Sequence, residues 1–188
     1  MNLAFLIENA HPARDPKGAL TGEDRLVYAL KNPPAFDEAQ KPELVDLVTR
    51  VMEGAKSSPV RNAAALFLTD LIGQGATERI VNVIRQPGMP KSAGSLLFAL
   101  NDVEASLPLD LIVDIIEHGS LEAQGEALTF LEDARIADRS TSNVEQAEAR
   151  LRYAAETADS PKTRDAASIA LEFLDELAPK AAPGMKMI

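Results

Sequence analysis

Glu122, Glu126, Thr129 and Asp133 recur at intervals of four, three and four residues, the spacing that brings side chains onto one face of an α-helix. Asp165, Glu172, Asp175 and Glu176 supply similar charge further along the chain. Paired carboxylates are the groups of general acid–base chemistry, in which one donates a proton while the other accepts one. That chemistry needs a pocket to set the two groups apart, and neither stripe brings residues that would build it. A solvated face therefore ranks first, an acidic surface that docks a protein second, and catalysis third. No catalytic residue is assigned.

The remaining reactive types are sparse. Asp114 and His118 stand four residues apart and could offer two metal ligands from one helix face, but no further ligands accompany them. A histidine in the last turn before Gly119 is accounted for by the negative end of a helix. His11, beside Pro12, receives no role, and neither metal nor cofactor is expected. Gly73-Gln74-Gly75 follows a helical pattern rather than a strand, so it reads as a turn and not as a nucleotide cradle. The sequence has no Gly-rich phosphate loop, no Gly-x-Ser-x-Gly elbow and no His-Glu-x-x-His pair. It also has no cysteine, which removes disulfides, thiolate metal sites and thiol nucleophiles together and suits a reducing compartment, with cytoplasm as the default.

The elements that must carry these side chains are helices. Ala-rich amphipathic segments recur around Leu71, Leu100, Leu131 and Leu171, and each follows a second apolar segment of helical period. Those partners run through Leu44, Leu47, Val48 and Val51; Ile80, Val81, Val83 and Ile84; Leu111, Ile112, Ile115 and Ile116; and Val144, Ala147, Leu151 and Ala154. The pattern predicts a leading helix over 22–31, a linker through Asn32-Pro33-Pro34, and helix pairs at 43–53 with 59–72, 77–86 with 90–102, 108–118 with 120–135, and 143–158 with 161–177. Ser58-Pro59 and Ser160-Pro161 mark two helix starts, Ser142 with Glu145 forms a capping box, and Thr21 with Asp24 a weaker one. Gly54, Gly73, Gly75, Gly88 and Gly119 fall between segments, where positive φ can end a helix. The polar stretch Asp138–Ser142 reads as an inserted loop and a candidate contact. Phe67, Phe98, Phe130 and Phe173 occupy comparable places and read as a core seam, with Leu121, Leu128 and Leu131 opposite the acidic stripe.

The expected organisation is an N-terminal segment over 1–41 with one capping helix, a continuous helical stack over 42–177 and a flexible tail over 178–188. Met1 to Ile7 is too briefly apolar, and too free of basic residues, to read as a signal peptide. No stretch approaches the roughly 20 apolar residues that cross a bilayer.

Charge divides the chain. Residues 1–101 hold 11 acidic and 11 basic side chains, whereas residues 102–178 hold 18 and 6, a net of -12. A negative field repels phosphate and anionic lipid and attracts basic protein surfaces, so neither nucleic acid nor membrane is an expected partner.

Ser58-Pro59-Val60-Arg61-Asn62-Ala63-Ala64-Ala65-Leu66 and Ser160-Pro161-Lys162-Thr163-Arg164-Asp165-Ala166-Ala167 resemble the second helices of HEAT repeats, which open with proline or valine and an arginine before a small-residue pair. Arg61 and Arg164 match that arginine, whereas Met89-Pro90-Lys91-Ser92 and Ser120-Leu121-Glu122-Ala123 lack it. The resemblance spans roughly 42–177. It implies an all-α fold, a right-handed α/α superhelix of about four helical hairpins with a leading helix, whose function lies in an extended surface. Arg61 and Arg164 are then expected to bond to carboxylates or carbonyls of adjacent repeats and lock the stacking angle.

The resulting expectation is a non-catalytic module whose acidic surface docks a basic protein, for instance an inhibitor or immunity-type protein neutralising a toxin. Some HEAT-like proteins are enzymes, such as alkylpurine DNA glycosylases. Their chemistry calls for a basic groove and aromatic side chains, and this chain is acidic, 4% aromatic and free of tryptophan. A pigment-protein lyase or an assembly chaperone is a third alternative.

Overall fold

The computed structural model describes residues 22–177. Met1–Ile7, His11, the Thr21 cap and the tail expected over 178–188 lie outside them. The described residues are helical throughout, joined by turns and short 3-10 segments. Their one bridge of strand type is an isolated parallel contact between Leu107 and Ile136. No described helix is long and apolar enough to cross a membrane.

The chain divides into two compact units, Met1–Ala105 and Ser106–Ile188. The first contains α1 (Gly22–Lys31), α2 (Lys41–Gly54), α3 (Ser58–Ile72), α4 (Thr77–Ile84) and α5 (Gly94–Asp102). The second contains α6 (Leu109–His118), α7 (Leu121–Glu132), α8 (Thr141–Thr157) and α9 (Pro161–Leu177).

In the first unit α2 buries Leu44, Val45, Leu47, Val48 and Met52 against α3. α3 contributes Phe67 and Leu68 together with the run Ala63-Ala64-Ala65, whose small side chains let neighbouring backbones approach. Each large apolar side chain removed from water contributes about 1.5–3 kcal/mol, so this interdigitated seam holds the pair together. α1 packs on α3, α3 on α5, and α2 on α4. Between α4 and α2, Arg79 Nε donates to Thr49 Oγ1 at 3.1 Å.

The second unit follows the same rule. α6 is apolar on nearly every side, burying Leu109, Leu111, Ile112, Val113, Ile115 and Ile116, because α7, α8 and α9 all pack on it. α8 pairs with α9, and α7 packs on α9.

The helix ends differ in places from the sequence reading. Ser57, not Ser58, caps α3: its Oγ accepts from Val60 N at 3.4 Å. Ser160 caps α9 as expected, accepting from Thr163 N. The Ser142–Glu145 box does not form, because α8 begins at Thr141 and Ser142 lies inside its first turn. Asp138 anchors that entry instead, accepting from Ser140 N at 2.9 Å and from Asn143 Nδ2 at 2.6 Å. The inserted loop is correspondingly shorter than Asp138–Ser142. The segment before Gly94 is a 3-10 turn, Met89–Ser92, rather than the first turn of α5.

Gly73 and Gly88 adopt positive φ, but so do Glu104 (53°) and Ala134 (57°), which no glycine marks. Each of these two ends a helix: Ala105 N bonds to Leu100 O and Arg135 N to Phe130 O, a closing bond that satisfies a carbonyl otherwise left over in the last turn. Gly119 has an ordinary φ of -73°. Its requirement is space, since a Cβ there would collide with the Ile115 carbonyl.

Phe67 and Phe130 are core residues, but Phe98 is 55% exposed and Leu121 60% exposed, so neither belongs to the seam that its spacing suggested. Phe98 faces away from the side of α5 that buries Leu96, Leu97 and Leu100, and Leu121 sits on α7 before that helix's apolar side begins at Ala123. Phe173 is half-buried, and Leu174, rather than Leu171, is the fully buried leucine of α9.

Candidate functional site

The acidic residues are positioned by the second unit, and its register is set by side chains. Asp110 and Val113 of α6 share a groove with Asn143, Gln146 and Ala147 of α8, while Asp114 and Glu117 meet Arg150. Residue numbers rise together, so α6 and α8 run parallel. Their hairpin partners α7 and α9 then do the same.

Gln124, only 3% exposed, ties the three helices. Its Nε2 donates to the Ile116 carbonyl at 2.8 Å and to Thr163 Oγ1 at 3.2 Å. Ile116 lies in the last turn of α6, where carbonyls lack an intrahelical donor, so the amide satisfies an acceptor that would otherwise be stranded. The Thr163 contact aligns α9 with α7, and counting equal steps from the two ends places Glu126 level with Asp165 and Asp133 level with Glu172.

Glu122 is exposed on α7, and Glu126 and Thr129 are half-buried. Thr129 Oγ1 donates back to the Gly125 carbonyl at 3.3 Å, leaving its hydroxyl proton committed within the helix. Asp133 lies just past the last residue of α7 and is paired with Arg135 at 2.8 Å. The Arg135 guanidinium also stands 4.6 Å over the Phe130 ring. On α9, Asp165, Glu172, Asp175 and Glu176 are all exposed, opposite buried Ala166, Ala167, Ala170 and Leu174. Ile169, 41% exposed, sits among them, four residues after Asp165 and three before Glu172.

Arg61 and Arg164 act differently from expectation. Arg61 Nη1 donates to Ala55 O at 3.5 Å and Nη2 to Ser58 Oγ at 3.0 Å. Arg164 Nη1 donates to Ala158 O at 2.5 Å. Both acceptors lie six residues upstream, at the end of the preceding helix, so each arginine clamps the turn of its own hairpin rather than an adjacent one.

Asp114 and His118 are engaged separately. Asp114 accepts from Arg150 Nη2 at 2.5 Å, Glu117 also binds that guanidinium, and the exposed His118 lies 3.8 Å from Glu117. Among the described residues no group of three possible ligands is assembled. Burial works to lower the Arg150 pKa, but hydrogen bonds and charge from Glu117 and Asp114 outweigh it and hold the guanidinium above its ordinary value. Gly73-Gln74-Gly75 is the turn expected of it, and Gln74 Nε2 donates to Glu104 O at 3.3 Å.

Three features had no signal in sequence: buried Gln124, the Arg150 cluster, and a groove of about 300 Å³ in which Ile136, Val144, Leu174 and Leu177 are joined by Arg139, Thr141, Glu145 and Glu148. Spacing along one helix cannot reveal a partner that another helix supplies. No protein-family model, curated protein or solved structure matches this chain.

Proposed function

We propose that the chain is a non-catalytic protein-binding module whose acidic face docks a basic protein partner. The scaffold we infer is a right-handed α/α superhelix of about four HEAT-like hairpins. Support comes from each unit, where first helices pack on first helices and second on second. The thirty-residue offset shared by the Arg79–Thr49 and Gln74–Glu104 contacts points the same way.

The observation that carries the docking reading is the α7–α9 register. Counted from the Gln124–Thr163 contact, Glu126 falls level with Asp165 and Asp133 with Glu172, in the part of the chain that carries a net of -12, and this supports reading them as one acidic face. A field of one sign raises the encounter rate with a cationic surface and discriminates against others. An inhibitor or immunity-type protein that captures a basic toxin or nuclease in the cytoplasm is one concrete form of this function.

The test is capture by the immobilised chain, comparing the native sequence with a Glu122→Lys, Glu126→Lys, Asp165→Lys variant of unchanged helicity. The native chain should retain a protein of high isoelectric point, increasingly lost as salt is raised, and the variant should not. Equal capture by both would remove this face from consideration.

A further inference from the structure

We propose a second recognition site in the Ser106–Ile188 unit, away from the acidic face: an open groove that takes an arginine side chain from a protein or peptide ligand. The groove measures about 470 Å³ and is lined by Glu117, His118, Tyr153, Thr157, Asp159 and Thr163. Tyr153 is the decisive residue. It projects from α8 with 69% of its surface in water, a large aromatic area that the fold does not use for packing.

The surroundings of that ring favour a cation. Helices α6 and α8 both end on the groove, at His118 and Thr157, and helix C-termini carry partial negative charge. Exposed Asp159 adds a carboxylate, whereas that of Glu117 is already engaged by Arg150. Of the positive groups nearby, Arg150 is ion-paired with Asp114 and Glu117, Arg164 is directed onto the Ala158 and Asp159 carbonyls, His118 lies beside Glu117, and the N-terminus of α9 is capped by Ser160. A planar guanidinium can stack on the phenol face while its N–H groups donate to a carboxylate or to Thr157 and Thr163, which an ammonium does less well. The groove shares Thr163 with the α7–α9 contact but none of the acidic residues of that face, so the two proposals are tested by different substitutions.

The chain has two tyrosines and no tryptophan, so in a Tyr28→Phe background tyrosine fluorescence reports on Tyr153 alone. Titration with a tetra-arginine peptide should give a saturating change, and a tetra-citrulline peptide of the same shape should give none. By calorimetry Tyr153→Phe should bind tetra-arginine within about twofold of the native chain and Tyr153→Ala at least fivefold more weakly, with circular dichroism unchanged. The Glu122→Lys, Glu126→Lys, Asp165→Lys variant should keep the fluorescence titration. Equal responses to arginine and citrulline, binding indifferent to Tyr153→Ala, a saturating response to inorganic phosphate instead, or loss of the titration in the charge-reversed variant would each overturn the assignment.

Discussion

Gln124 Nε2 and Thr163 Oγ1 meet at 3.2 Å between α7 and α9, and this contact sets the level at which the two acidic helices lie side by side. The same amide holds the Ile116 carbonyl at the end of α6. Replacing Gln124 by methionine keeps the volume but strands the buried Ile116 carbonyl and removes the donor to the half-buried Thr163 hydroxyl. The expected loss is about 1–3 kcal/mol in urea unfolding. Thr163→Val should cost less, because the Ser160 cap uses the Thr163 backbone N–H. A neutral Gln124→Met would show that water or a shifted backbone replaces the amide.

Ala134 sits at φ 57° and Glu104 at φ 53°, where a Cβ costs roughly 1 kcal/mol and glycine pays nothing. Ala134→Gly should therefore stabilise the chain by about 0.5–1 kcal/mol, against the usual direction of a glycine substitution. Glu104→Gly should do the same. Destabilisation by both in denaturant titrations would mean that these residues do not close their helices as described.

Much of the helical plan was legible because it rests on local physics. Residues 22–31 and 161–177 match α1 and α9 end to end, since apolar periodicity, Ser160-Pro161 and the breaks after them all point to the same limits. Errors arose where a second element decides. The positive φ of Ala134 follows from its place at a helix end and leaves no glycine to read. Phe98 and Leu121 have helical spacing, yet they fall outside the part of the helix surface that a neighbour covers. The acidic residues could be grouped by face from sequence, whereas the Asp133–Arg135 pair and the Arg150 cluster depend on how a turn folds and on which helix lies opposite.

Arg164 and Arg61 both reach a carbonyl six residues back, and this makes them comparable probes of hairpin closure. Alanine at either position removes a charged donor from a helix-end acceptor, with an expected cost of about 1.5–3 kcal/mol. Lysine should recover only part of it, because a single ammonium cannot reproduce the two-armed contact of Arg61 with Ala55 O and Ser58 Oγ. If the arginines instead locked neighbouring hairpins, a lysine able to reach a carboxylate there would restore full stability, which thermal unfolding of the two series would reveal.

Asp133 and Glu122 lie on one stripe but should separate experimentally. Asp133 holds Arg135 at 2.8 Å, and Arg135 in turn covers the Phe130 ring, which is fully buried. Lysine at 133 places like charge beside that guanidinium and weakens its position over the ring, for an expected loss of about 1 kcal/mol that lessens as salt screens the repulsion. Glu122 is exposed in the first turn of α7, so Glu122→Lys forfeits only a favourable charge at the helix N-terminus, about 0.3–1 kcal/mol. On the proposed docking to a basic protein, the association rate should fall in both variants, with its salt dependence reduced, because each removes a negative charge from the proposed face. Both variants should lose association, whereas the stability loss should be at its largest for Asp133→Lys, which alone disturbs Arg135 over the Phe130 ring. Equal stability losses with an unchanged association rate would confine the stripe to folding and leave docking to another surface.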